Sequence, residues 1–478
     1  MADTLTTLQQ LHLLAAGKAA NTAVLGRLEA SVATNGYTQV DNEINSNLND
    51  IETNIGTAAT LQMIARRGLG LELTLDQATR ASADLKANGL NTWAKILHWA
   101  ADNQTALTTT LDNRTEAALH FRTEVHQKGT AGFYSGHSAD AAVTNILLSV
   151  GDSALSLAQA KAALTALAGK FGPNGISGTL YGSYGGIEVR ADTNNNWWWS
   201  GDEWGVVTQD DGRYTIPANA DAGRLIVHGG VDMMTRTAFT GVISAPSGST
   251  VINPFTSMVQ SLLESGQNMQ QALASVKTAF GLGSDINLFT YDSRRVLIDP
   301  NASAATKATA LAHEKTQLQI ANVTTQIGAA IDAAGTNGAS ADRSYDVTKA
   351  LAAVVQASAT AGTRVDLTDS TLIARVIANA DTSGMVTGSA ARLTTLVDAS
   401  NTAIVNASNG ISLAKAATVT QGKLVGDLIL AMDNNTLDAA LSAYTGANLD
   451  AKIAAAQPLQ FLPGMEISLV GTTTVGVG

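Results

Sequence analysis

Residues 186–216 read GIEVRADTNNNWWWSGDEWGVVTQDDGRYTI. Asp192, Asn194 and Asn196 alternate, and the pair Asp202–Glu203 follows. With Asp192 as position one, side-chain oxygens fall at positions one, three, five, nine (Ser200) and twelve (Glu203), and the Trp198 carbonyl stands at seven. That is the spacing at which a loop wraps a hard cation such as Ca2+ with oxygen ligands. An EF-hand has glycine at position six, where the chain turns sharply; here the residue is Trp197. The flanks IEVRA and GVVTQ are rich in β-branched residues and read as strands, not helices. The expectation is therefore a strand–loop–strand calcium site with ligands Asp192, Asn194, Asn196, Trp198, Ser200, Asp202 and Glu203. An Asx-rich hairpin loop without metal stays open, because Asn and Asp are common turn formers.

Around this loop the chain divides by composition. Residues 1–172 carry helical periodicity. Val24, Leu25, Leu28 and Val32 form one apolar stripe, and Asn35–Gly36 ends it. Further helices are expected at 57–68, 75–87, 90–103, 113–127, 138–150 and 156–170. Residues 173–250 turn glycine-rich, with strands expected near 176–181, 186–191, 204–208, 213–216, 223–228 and 239–243. Helices resume at Asn253–Pro254, an N-cap with proline at the first helical position. Phe255, Met258, Val259, Leu262 and Leu263 then mark a core-facing stripe, as do Ile320, Val323, Ile327 and Ile331. The fold class is α+β: a helical domain (1–172), a small β-sandwich-like calcium module (173–250), a second helical domain (251–457) and a terminal strand (458–478). In that tail Met465, Ile467 and Leu469 alternate with Glu466 and Ser468. A lone strand needs a partner sheet, either in its own chain or in a neighbouring subunit.

Four tryptophans, Trp197, Trp198, Trp199 and Trp204, lie in or beside the loop. Such a cluster serves a small core, a subunit contact or a glycan platform. Trp197, Trp199 and Trp204, with Met465, Ile467 and Leu469, are the candidate interface residues.

The chain has 478 residues, 45% of them apolar, enough for a large core and two to four domains. Charged residues make up only 14%, against about 25% in average soluble domains. A surface of Ala, Thr, Ser, Asn, Gln and Gly suits extensive packing against neighbours. The net charge of −11, without a basic run, argues against nucleic-acid binding. The absence of cysteine excludes disulfides, zinc–thiolate sites and a cysteine nucleophile. No apolar run reaches the ~18 residues of a membrane span. The first residues, MADTLTTLQQLHLLAAGKAA, lack the basic and apolar regions of a Sec signal, so export would use a one-step route with an uncleaved C-terminal signal; a mature form or a cytosolic protein stays open.

Catalytic motifs are not found. His313–Glu314 is followed by Lys-Thr-Gln and is no HExxH. Gly136-His137-Ser138-Ala139-Asp140 lacks the last glycine of a nucleophile elbow, and no Walker A sequence occurs. Glu188, Asp192, Asp202 and Glu203 beside tryptophans could be cast as a glycosidase acid pair, but the calcium spacing explains the same residues without a reaction. The expectation is a protein that is not an enzyme.

The stretches ADTNNNWWWSGDE (191–203), TQDDGRYTI (208–216), APSGSTVINPFTSMVQSLLESG (245–266) and GLGSDINLFTYD (281–292) resemble a module of large secreted proteobacterial proteins. The first two are also similar to B-type calcium repeats of surface adhesins. Departures are Trp197 for the usual Gly and Gln209 for the usual Asp. LDNRTEAALHFRTEV (111–125) and SADAAVTNILLSVGDSALSLAQAKAALTAL (138–167) are similar to the N-terminal helical domain of type I-secreted, repeats-in-toxin-like and surface-layer proteins. The resemblance implies type I export, calcium outside the cell, and a place in a surface layer, adhesin or biofilm matrix. The function expected from sequence is a secreted, calcium-binding structural protein that self-assembles into an extracellular layer or filament as a homo-oligomer or polymer. The alternative is a monomeric adhesin that binds a cell-surface glycan through the tryptophan loop.

Overall fold

Apolar stripes at helical spacing dominate both ends of the chain, and the chain folds as an α+β protein with small sheets between helices. The computed structural model describes residues 4–456 except 104–108, 135, 182–183, 186, 195–202, 210, 218–219, 221–222, 229–230, 233–236, 240, 336–341, 409, 435 and 445. Two compact units result: residues 1–176 with 216–222, and residues 177–215 with 223–478. The expected terminal strand, with Met465, Ile467 and Leu469, lies outside the described residues.

The first unit is built from helices α1 (Thr4–Ala16), α2 (Thr22–Asn35), α3 (Thr38–Ile55), α4 (Thr57–Ile64), α5 (Leu75–Ala87), α6 (Trp93–Asp102), α7 (Thr110–Gln127), α8 (His137–Leu148) and α9 (Ala154–Ala168). Local signals set their ends. Asn21 caps α2, whose Leu25 and Leu28 are buried as the stripe predicts. Gly36, at φ 60, ends it by donating to the Val32 carbonyl. Thr74 and Gln77 form a reciprocal capping box at α5. Helix α4 runs on into a π-helical turn, Ala65–Leu69, where an unbroken helix to 68 was expected. The reason is tertiary. Arg114, 2% exposed, donates from Nη1 to the Arg66 carbonyl (3.1 Å) and also to that of Arg67. Its Nε reaches the Val150 carbonyl (3.2 Å) and its Nη2 that of Leu148 (3.3 Å). One guanidinium thus satisfies the carbonyls that two helix ends leave over. Burial lowers its pKa to about 10.

The strands are β1 (Phe171–Gly172), β2 (Gly175–Leu180), β3 (Tyr184–Gly185), β4 (Glu188–Asp192), β5 (Gly205–Val207), β6 (Arg213–Ile216), β7 (Arg224–His228), β8 (Val231–Asp232), β9 (Thr237–Ala238), β10 (Val242–Ala245) and β11 (Val251–Ile252). The strand expected at 239–243 sits a few residues later, and Pro246 stops it. In the second unit β2 pairs in parallel with β11, Thr179 opposite Val251. A four-stranded sheet has the order β10-β7-β4-β5, all antiparallel. Its central strands carry Val189, Ala191, Leu225, Ile226 and Val227, all buried.

Helices of the second unit are α10 (Pro254–Glu264), α11 (Met269–Phe280), α12 (Ser293–Ile298), α13 (Ala304–Ala334), α14 (Asp342–Thr360), α15 (Ser370–Ala380), α16 (Ala390–Asn406), α17 (Gly410–Ala417), α18 (Leu424–Asn434), α19 (Leu437–Ser442) and α20 (Ala447–Ala455). At α10, Asn253 and Thr256 form the cap that Asn253–Pro254 announces, each accepting the other's amide at 2.9 Å. Helix α13 is the axis of this unit, buried on nearly every side from Gln317 to Ala333. Gln317, Asn322, Gln326, Ser400, Asn401 and Thr420 are all fully buried. The Asn322 amide donates to Asn401 Oδ1 (3.2 Å) and that of Gln326 to the Thr420 carbonyl in a π-helical turn, Thr418–Lys423 (3.1 Å). Part of the neutral polar composition that reads as surface is therefore interior.

His313 and Glu314 have structural partners. Glu314 accepts from Arg294 Nε and from Ser293 Oγ, both at 2.8 Å, and His313 Nδ1 lies 2.9 Å from the Tyr291 hydroxyl. Desolvation depresses the His313 pKa.

Gly178 on β2 faces the ring of Tyr214, which is 3% exposed and donates to the Ser249 carbonyl at 3.3 Å. A Cβ there would lie 2.3 Å from the ring. Gly178→Ala is expected to destabilise the fold by about 1–3 kcal/mol, as overpacking does. Urea denaturation checks this; an unchanged midpoint would mean that the ring shifts freely.

Candidate metal-binding loop

The loop of residues 192–203 hangs from β4 and β5, so its ends are set by sheet register. Arg190 pairs with Gly205, and the Ala191 amide donates to the Trp204 carbonyl at 3.2 Å. Continuing that register places Glu203 across from Asp192. On the other side of β4, Asp192 is the register partner of Arg224 on β7. Glu203, Asp192 and Arg224 therefore stand in a row across three strands, 8%, 3% and 7% exposed.

The row is closely bonded. Arg224 donates from Nε to Asp192 Oδ2 at 2.7 Å, and its Nη2 lies 2.5 Å from the same oxygen. Its Nη1 donates to Glu264 Oε1, at the end of α10, at 2.6 Å. Glu264 also accepts from Gln260 Nε2 (2.7 Å) and from the Tyr345 hydroxyl of α14 (2.5 Å). Glu203 Oε1 accepts the Thr193 amide at 2.9 Å, with the Asn194 amide at 3.5 Å. The last residue of the twelve thus caps the backbone of the second and third. Gly223 completes the neck: a Cβ there would lie 2.6 Å from the Asp192 carbonyl oxygen.

Three carboxylates, Asp192, Glu203 and the more exposed Glu264, thus share this region with the Arg224 guanidinium. Carboxylate and carboxamide oxygens, which the loop sequence also carries, are the donors that a hard cation such as Ca2+ takes. Of the expected ligands, Asp192 and Glu203 meet at the neck, where Asp192 shares its carboxylate with Arg224, and Asn194 reaches Glu203 through its backbone amide. Asn196, Trp198, Ser200 and Asp202 lie outside the described residues, as do Trp197 and Trp199. Trp204 is half-buried beside β5. Among the described residues no group of three or more His, Cys, Asp or Glu side chains is arranged to hold a metal.

Arg224, Glu264, Gln260 and Tyr345 were not expected from the sequence. The one signal was a lone cation opening the apolar run RLIVH. A cavity in the first unit, beside Trp93 and Glu52, measures about 80 Å³, well below the ~300 Å³ of small-molecule sites. No helix among the described residues is long and apolar enough to cross a membrane.

Removing the guanidinium alone would break the ion pair of the buried Asp192 carboxylate. Arg224→Met is expected to cost about 3–5 kcal/mol, the penalty of breaking a buried ion pair. Glu264→Gln, which keeps an acceptor for Arg224, should cost less. Urea unfolding of both variants checks the order, and the reverse order would contradict it. Comparison of the chain with protein-family models, with curated proteins and with solved structures gives no match.

Proposed function

We propose that this chain is a secreted, calcium-binding structural protein that assembles with copies of itself outside the cell, in a surface layer, a filament or a biofilm matrix. The observation that carries the reading is the juxtaposition of Asp192 and Glu203, the two ends of the twelve-residue loop, in one buried neck. Asp192, Asn194 and Glu203, joined by Asn196, Ser200, Asp202 and the Trp198 carbonyl, would hold the ion in a β-sandwich-like module. A bound Ca2+ would neutralise the neck and rigidify the loop, holding Trp197, Trp199 and Trp204 ready for a subunit contact. The low content of charged residues supports dense packing between copies. Export by a type I route belongs to the same reading.

The test is negative-stain electron microscopy of EDTA-stripped protein before and after calcium is restored to about millimolar, the range of extracellular calcium modules. Ordered filaments or sheets are expected only with calcium. The variant Asp202→Asn/Glu203→Gln removes two charges yet leaves an acceptor for the Thr193 amide, so it should fold but not assemble. Assembly that is indifferent to EDTA and to this variant would overturn the calcium mechanism. Particles that stay monomeric throughout would overturn self-assembly and direct attention to glycan binding by the tryptophans.

A further inference from the structure

The two edges of the β10-β7-β4-β5 sheet are treated differently. At β10 the edge is sealed by hydroxyls. The Val242 amide donates to Ser344 Oγ and the Ser244 amide to Ser257 Oγ, both at 2.9 Å. The Ser244 carbonyl accepts from Thr256 Oγ1 (2.9 Å) and Ser257 Oγ (3.1 Å). Helices α10 and α14 thereby cover that edge.

At β5 no comparable bonds occur among the described residues. Trp204 and Thr208 bond inward to Ala191 and Ile187, and Val206 is paired with Val189. The backbone groups of Gly205 and Val207 therefore face outward, and among the described residues none of them has a partner. Val207 is 65% exposed. Val206, on the face of the buried Val189, remains partly exposed. Proteins ordinarily blunt such an edge, because it templates another strand.

We infer that the β5 edge accepts the segment Met465–Val470 of a second copy of this chain, a donated strand that links subunits. This rests on the self-assembly reading, which is what sets the donor in a neighbouring molecule. The segment alternates in the required way: Met465, Ile467 and Leu469 would extend the apolar face beyond Val206, and Glu466 and Ser468 would join Glu188, Arg190 and Val207 on the other. Between Ala456 and Met465 lie eight residues, 457–464. At about 3.3 Å per residue this tether reaches ~30 Å, enough to lead the strand onto an adjacent copy.

Because the chain has no cysteine, engineered cross-links report cleanly. Val207→Cys protein mixed with Ser468→Cys or Glu466→Cys protein under oxidising conditions should give disulfide-linked dimers. Mixing with Ile467→Cys, on the opposite face of the donated strand, should not. Deleting residues 464–478 should abolish calcium-dependent polymers while leaving the melting temperature of the subunit unchanged. No dimer in any mixture, or a link formed only within a Val207→Cys/Ser468→Cys chain, overturns the proposal. So does a truncated protein that polymerises like the full chain, an outcome that leaves the assembly reading standing. If the full chain never polymerises, that reading fails by itself, and the cross-links in the same samples still decide the strand.

Discussion

Arg224 is the point on which the second unit turns. Its guanidinium lies between a sheet carboxylate, Asp192, and a helix carboxylate, Glu264, with almost no exposure to solvent. Neither contact is strong evidence of stability, because desolvating three charges offsets much of their attraction. What the arrangement supplies is specificity. A slip of β7 by one residue would turn Arg224 to the other face and break both ion pairs. The strands, α10 and, through Tyr345, α14 are thereby held to one register.

The same economy of charge appears elsewhere. A chain with 14% charged residues has few ion pairs with which to fix its packing, and it uses amides and hydroxyls in their place. Asn322, Asn401 and Gln326 link three segments of the helical interior, and serines seal the β10 edge. Where a guanidinium is buried, as with Arg114 on the carbonyls of two helix ends or Arg294 on Glu314, it joins segments distant in sequence. Directional bonds of this kind specify position more sharply than apolar contact alone.

Local chemistry made much of the fold legible. The cap at Asn253–Pro254, the stop at Gly36 and the strands on either side of the loop follow from rules that act within a few residues. Three features escaped. The π-helical turn at 65–69 depends on Arg114, nearly fifty residues away. The partners of Asp192 lie outside any local window: Arg224 is separated from it by 32 residues, and Glu264 from Arg224 by 40. The neutral polar residues of α13 carry no mark in the sequence that separates an interior amide from a solvated one. Spacing within the loop revealed a set of oxygens and could not reveal that a guanidinium shares the first of them.

The neck closed by Glu203, Thr193 and Gly223 also separates two kinds of constraint. Sheet register is fixed on the strand side of it, by the pairing of Arg190 with Gly205 and of Asp192 with Arg224. Loop-closure entropy grows only slowly with length. The neck, more than the number of residues it encloses, is therefore what an engineered graft must preserve if the strands are to keep their alignment.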